Sequence, residues 1–256
     1  MIVKFLGTHS AESKKTRLAS ILIDGVLAVD AGSFVSELSF DDQSKIKSIL
    51  LTHGHYDHIR GIPAFAFNQS KRVTRIFSQP QTLDILTSHL MDGIIYPKFG
   101  DGDNFLERHV LDLIPIEPFK TMDIEGYQVT ALPVIHPLDS IGFEISAGKG
   151  KTVFYSGDTG GGLSSIWEYT TPDVLLIDVT FPNQFRKMAE ESGHLCPNML
   201  KEELIQFKKI NGYLPQIYLI HMSPAFEMVI RAETTSIARD MEFSFQMASE
   251  GDEIHL

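Results

Sequence analysis

Between positions 52 and 58 the chain reads Thr-His-Gly-His-Tyr-Asp-His, directly after the apolar run Ile49-Leu50-Leu51. Three histidines and an aspartate in so short a stretch limit the possible folds more than any other feature. An apolar run that ends in such a loop reads as a buried strand delivering side chains to a site. Neutral imidazoles and carboxylates are the usual protein ligands of zinc and similar divalent metals. His53 and His55, two apart on an extended segment, point to one side, while Asp57 and His58 follow once the chain has turned. One motif can therefore supply ligands to two neighbouring metals. The competing reading is a His-rich polar surface loop, and context has to decide between them.

A chain of 256 residues holds one large domain or two small ones. Its 43% hydrophobic and 21% charged content suits a globular protein with a sizeable core. The formal net charge of −11 disfavours a surface that tracks nucleic-acid phosphates. Small anionic substrates stay open, because a bound metal pair inverts the local charge. One cysteine, Cys196, excludes an intramolecular disulfide and fits a reducing compartment. The opening Met1-Ile-Val-Lys-Phe-Leu-Gly has too short an apolar run for a signal peptide and reads as a strand. No apolar stretch reaches the roughly 18–20 residues of a membrane span. The expectation is a soluble cytoplasmic protein.

Strands are expected at residues 2–6, 18–23, 26–29, 49–51, 75–78, 110–116, 127–133, 142–146, 152–155, 173–179, 216–220 and 253–256. Asp24-Gly25 turns one hairpin and Gly148-Lys149-Gly150 another. Helices are expected at 39–47, 59–67, 81–90, 160–169, 185–192, 198–210 and 226–238. Leu200, Leu204 and Phe207 give the 198–210 helix one apolar face. Residues 91–108, with Gly93, Gly100, Gly102, Tyr96, Phe99 and Phe105, read as an irregular loop with its aromatics packed beneath it. Asp30-Ala31-Gly32-Ser33 ends its strand in small residues, where backbone could approach a site. Strands come in two batches, each followed by helices, as in two sheets sandwiched between helical layers. This is an α/β (α+β) architecture in a single domain over 1–256, with internal duplication.

A dinuclear site needs more donors than one motif carries. His136, Asp158 and His221 each follow an expected strand and can converge on one edge of a sheet sandwich. Singly, each is weak evidence: Asp158 suits a turn, and a lone histidine is more often structural. Taken with the motif, the chain resembles the metallo-β-lactamase-fold hydrolase superfamily, whose H-x-H-x-D-H hallmark stands here as His53–His58. The resemblance runs from Phe5-Leu6-Gly7-Thr8 to Gly251-Asp252-Glu253-Ile254 and implies an αββα sandwich. It further implies one metal on His53, His55 and His136, a second on Asp57, His58 and His221, and Asp158 bridging them.

Two such metals can lower the pKa of a shared water toward neutrality and polarise the substrate oxygen. His55 in place of a glutamate departs from the iron-carrying redox branch, so hydrolysis through a bridging hydroxide is expected. Zinc is the first expectation for both ions, with manganese and iron as alternatives, since ligand type does not fix the metal. Asp178, then a helix, then Gly193-His194-Leu195-Cys196-Pro197 is similar to the phosphodiesterase branch. That branch holds class II cyclic-nucleotide phosphodiesterases and, more distantly, tRNA 3′-processing endonucleases. The likeness implies His194 as proton donor or phosphoryl contact, worth about 10²–10⁴-fold; the other reading is a helix-start residue held by backbone. Asp57, Asp158 and His194 are the expected catalytic residues. Asp178 either orients His194 or a ligand histidine or merely ends its strand, and Cys196 reads as a core residue. His136 and Asp158 are only 22 positions apart, filled by a hairpin, which leaves no room for the endonucleases' substrate arm. The expected substrate is a small phosphodiester such as a cyclic nucleotide, with tRNA and membrane partners not expected. Alternatives are a thioesterase or lactonase of the same fold, although the glyoxalase-like thioesterases append a helical C-terminal region. The tRNA endonuclease itself and a metal-bearing sensor without turnover also remain. A homodimer is the default assembly.

Overall fold

Apolar residues alternate along the strand stretches, and the two resulting apolar faces bury each other. The computed structural model describes residues 1–69, 72–99, 109–148 and 150–256. Its fourteen strands are β1 Ile2–Gly7, β2 Ser20–Ile23, β3 Leu27–Val29, β4 Ser48–Leu50, β5 Thr74–Ser78, β6 Leu111–Pro115, β7 Thr121–Ile124, β8 Tyr127–Val134, β9 Ser140–Ser146, β10 Thr152–Tyr155, β11 Val174–Asp178, β12 Gln216–Ile220, β13 Phe245–Met247 and β14 Glu253–His255. They form two seven-stranded sheets, ordered β14-β1-β2-β3-β4-β5-β6 and β13-β12-β11-β10-β9-β8-β7. Each sheet is antiparallel on one side and parallel on the other: β3 to β6 run parallel, and so do β10 to β13. Phe5, Ile21 and Val29 of one sheet share an inner core with Val129, Phe143 and Ile145 of the other.

Helices cover both outer faces. Phe34 of α1 (Phe34–Glu37) and Ile62 and Phe65 of α4 (Gly61–Asn68) pack with Ile49, Leu51 and Ile76. On the opposite face Leu200, Leu204 and Phe207 of α7 (Pro197–Asn211) and Ile230 of α8 (Glu227–Asp240) cover Leu175, Ile177 and Leu219. Pro197 opens α7, and Gly212, with φ +81°, closes it, the usual asymmetry of helix ends. This is the expected αββα sandwich. No helix among the described residues is long and apolar enough to cross a membrane.

Several local expectations are corrected. The 39–47 helix shrinks to α2 (Phe40–Gln43), because the amides of Lys47 and Ser48 already bond the Val26 carbonyl beside β3. The 59–67 helix starts earlier, as α3 (Tyr56–Ile59) followed by α4, so the motif itself turns helical at Tyr56. The 81–90 helix is α5 (Pro80–Ile85) continued by a wider π turn, Leu86–Leu90. There the hydroxyls of Thr87 and Ser88 bond back to the carbonyls of Leu83 and Asp84, competing with the regular ladder. Over 160–169 only a 3-10 turn at Leu163–Ser165 forms, because Glu203 takes the amides of Gly162 and Leu163. β7 was not expected: Glu125 and Gly126, both at positive φ, turn it into β8. β13 was missed as well. Residues 91–99 are irregular, and Phe99 is buried with Tyr96 packed nearby, as expected; Gly100, Gly102, Phe105 and Lys149 lie outside the described residues.

Candidate metal centre

The polar residues of interest follow strand ends, most of them in the parallel halves of the two sheets and one, His136, after antiparallel β8. The motif follows β4, Asp30 follows β3, His136 lies just past β8, Asp158 past β10, and His221 directly after β12. Asp30 and His221 both adopt positive φ (54° and 58°), uncommon for residues with a side chain and typical of sites where direction matters. Gly157 and Gly193 also lie at positive φ. A Cβ on Gly193 would stand 2.6 Å from Pro137 Cδ and 2.9 Å from His136 Cα.

Two donor groups form. In the first, His53 Nε2 and His136 Nε2 each lie 3.0 Å from His55 Nδ1. One ring nitrogen has a single lone pair and cannot pair well with two others. Three nitrogens around a tetrahedral zinc would stand about 3.3 Å apart. Burial keeps all three imidazoles below their ordinary pKa, His53 most strongly, with the facing His58 adding to the effect there. Their lone pairs are thus free, as metal binding requires.

In the second group, Asp158 Oδ1 lies 3.1 Å from His58 Nε2 and 3.3 Å from His221 Nε2. Asp57 Oδ2 is 3.2 Å from His221 Nε2 and 3.6 Å from His58 Nε2. The other Asp158 oxygen, Oδ2, faces the first group at 3.7 Å from His53 Nε2. Although His58 Nε2 and Asp158 Oδ1 are close, they are misaligned for a hydrogen bond and both are buried without a partner. Burial alone would raise the Asp158 pKa, but His221 and His58 hold it well below the carboxylate range. Asp57 is likewise held low by His58 and His221 against burial. His58 is pushed well up against burial by Asp158, Asp30 and Asp57. Orphaned buried donors facing carboxylates and neutral imidazoles fit a divalent cation. The groups that could hold such a cation are His53, His55, His136 and Asp158, and Asp57, His58, Asp158 and His221, with the ligand atoms of each group within 4.8 Å of one another.

Behind these groups lies a supporting layer. Asp30, fully buried, accepts from His58 Nδ1 at 2.7 Å, from the Thr52 amide at 2.9 Å and from Tyr155 Oη at 3.0 Å. His53 Nδ1 meets Thr52 Oγ1, and His136 Nδ1 donates to the Gly193 carbonyl at 2.9 Å. Such partners fix which ring nitrogen is left to face a metal. Sequence reasoning did not give Asp30 this role; the signal available was a carboxylate at a strand end, the same one that singled out Asp158. His194 lies between His136 and His221, stacking on His221 at 5.3 Å and meeting His136 edge-on at 5.2 Å. Its Nδ1 donates to Asp178 Oδ2 at 2.7 Å, and despite burial Asp178 and Asp158 push its pKa up to about 9. Asp178 therefore does orient His194. Its oxygens are already engaged by donors, so it reads as support although it clusters with Asp158, His194 and His221. Cys196 is buried in the outer core, and burial raises its thiol pKa.

Fold and site together define a metal-binding hydrolase. The β-lactamase superfamily domain matches residues 20–222, and the chain belongs to that family, as a hydrolase of the metallo-β-lactamase fold. A protein of Yersinia pestis named "Probable 3′,5′-cyclic-nucleotide phosphodiesterase" is 22% identical over 240 residues, covering 82% of this chain and 68% of its own. A "Ribonuclease Z" of Bradyrhizobium sp. (strain ORS 278) is 31% identical over 105 residues, 39% of this chain and 32% of its own. The crystal structure of unliganded yeast PDE1 is similar with a TM-score of 0.83 at 17% identity, over 100% of this chain and 99% of that one, a likeness of fold.

Proposed function

We propose that this hydrolase is a phosphodiesterase for a small phosphodiester such as a cyclic nucleotide. Two divalent ions, zinc first among them, would be held by His53, His55 and His136 and by Asp57, His58 and His221, with Asp158 between. When bound, the pair supplies an activated water near neutral pH and Lewis acidity toward the phosphoryl oxygen. The observation that carries the reading is Asp158, whose two oxygens face the two donor groups.

The chain's own residues do the rest. Asp57 and Asp158 concentrate negative charge where cations must sit, and Asp30 holds His58 with its Nε2 toward them. His194, bonded through Nδ1 to Asp178, keeps Nε2 for the leaving oxygen and delivers a proton there. That role supplies about 10²–10⁴-fold. Among the described residues between His136 and Asp158 the chain holds β9, β10 and their connections, which supports a small substrate over a folded RNA. The name of the Yersinia pestis relative points the same way, while the ribonuclease Z relative keeps a second reading, RNA cleavage, in view. A reducing cellular compartment suits the lone buried cysteine.

The test is a side-by-side assay of bis-p-nitrophenyl phosphate, 2′,3′- and 3′,5′-cyclic nucleotides, a precursor tRNA, a thioester and a lactone. Turnover of phosphodiesters, lost on chelation and restored by zinc or manganese, is expected. Cleavage of the tRNA alone would establish the second reading, and thioester or lactone turnover alone would overturn both.

A further inference from the structure

Thr180 is one residue past the loop start after β11, and its hydroxyl stands among four acceptor or donor atoms. Oγ1 lies 2.7 Å from Asp178 Oδ1, 2.9 Å from His221 Nδ1, 2.9 Å from the His221 carbonyl and 3.3 Å from His194 Nδ1. A hydroxyl has one proton to give and two lone pairs, so these contacts cannot all be donated. His194 Nδ1 is already committed to Asp178 Oδ2 at 2.7 Å. The shortest remaining contact is to a buried carboxylate, where a charge-assisted bond is strongest. Giving the proton elsewhere would leave Asp178 Oδ1 against the oxygen lone pairs at 2.7 Å. Whether the hydroxyl donates to Asp178 Oδ1 or to the His221 carbonyl, Oγ1 can then only accept from His221 Nδ1, so His221 must carry its hydrogen there.

We infer that Thr180 is a positioning residue that locks the tautomer of His221. Its hydroxyl passes the hold of Asp178 to His221, so that one buried carboxylate aligns the proton donor directly and the ligand histidine through one intermediary. The same Asp178 also accepts from the amide of Thr159, next to Asp158, at 3.1 Å. Val179 between Asp178 and Thr180 packs into the outer core, which fixes both neighbours toward the site. The inference rests on the proposed role of His221 as a ligand, and nothing in it depends on the substrate.

The experiment compares the full chain with Thr180→Val, of nearly the same shape, and Thr180→Ser, which restores the hydroxyl. Zinc affinity is measured by competition with a chromophoric chelator, and the His221 tautomer by long-range ¹H–¹⁵N NMR of the metal-free proteins, with the zinc-loaded parent showing whether His221 binds. Expected for Thr180→Val is a 10–100-fold weaker affinity for one of two ions. A mixed or inverted His221 tautomer should accompany it, and Thr180→Ser should return both to the parent's. Equal affinity and an unchanged tautomer in Thr180→Val would overturn the inference. Failure of the parent protein to bind zinc through His221 would instead sink the metal-site reading beneath it. Circular dichroism of Thr180→Val separates either result from misfolding; should that variant not fold, Thr180→Cys is read in its place under the same criteria.

Discussion

The two donor groups meet at Asp158 yet are built differently. His53, His55 and His136 form a neutral set, two of them half-buried, kept unprotonated by burial. Asp57, His58, Asp158 and His221 form a charged set with both histidines buried, backed by the buried carboxylates Asp30 and Asp178. Behind the neutral set stand a backbone carbonyl and the Thr52 hydroxyl, which links His53 to Asp30 at one remove. Anionic donors attract a dication that neutral ones merely accommodate, and buried carboxylate partners raise the basicity of ligand imidazoles. The charged group should therefore hold its ion more tightly, and dialysis against a graded chelator should empty the neutral group first.

The sharpest way to break this contrast is Asp158→Asn, which removes charge from both groups. Metal analysis should find both ions lost and turnover below detection; retention of either ion would show that the groups do not depend on a shared carboxylate. Next in size, His194→Ala should keep both ions and lower kcat by about 10²–10⁴-fold, as steady-state kinetics with parallel metal analysis would read. Asp30→Asn should weaken the charged group most, by about 10–100-fold in affinity, because Asp30 bonds His58 directly and reaches His53 of the neutral group only through Thr52. Gly193→Ala is its counterpart on the other side. The strained φ and the contacts with His136 and Pro137 should loosen the neutral group alone, an effect visible in a zinc titration.

The smallest effect concerns stability beside His221. His9, buried next to Met222, has Nδ1 2.6 Å from Glu250 and Nε2 3.6 Å from Glu227. Burial opposes its charge, but Glu250 and Glu227 raise its pKa above 6.5. A raised folded pKa means that protonation favours the folded state. This contribution is complete below the unfolded value of 6.5 and fades as pH climbs through the folded one. His9→Gln should cost about 1–3 kcal/mol near pH 6 and progressively less at alkaline pH in urea unfolding. A pH-independent loss would assign His9 a purely steric role.

Much of this was legible in the chain because its signals repeat. The motif follows an apolar strand, and His136, Asp158 and His221 follow others, so strand ends alone brought together residues up to 168 positions apart. The supporting layer was harder to read. Asp30 sits in Val29-Asp30-Ala31-Gly32, where a turn explains an aspartate well enough. Thr180 is a common residue type whose role exists only through Asp178, two residues before it, and His194 and His221 from later segments. β7 and β13 are short edge strands whose pairing, and no strong alternation, makes them strands. The 160–169 stretch opens on three glycines, poor helix formers, and buried Glu203 captures the amides a helix would start from, so local preference and a tertiary contact both oppose the expected helix.

The contact between Asp57 and His221 spans 164 positions. An ion held between them would act as a removable cross-link, closing a loop whose entropy cost in an open chain is ~4–5 kcal/mol. Four of the seven proposed donors, however, lie within His53–His58 and stay neighbours even when the chain is unfolded. The unfolded chain thus keeps a weak grip on the ion, which trims the stabilisation that mass action would otherwise give the native state. The same local grip would let the motif hold an ion before β8, β10 and β12 bring up their donors.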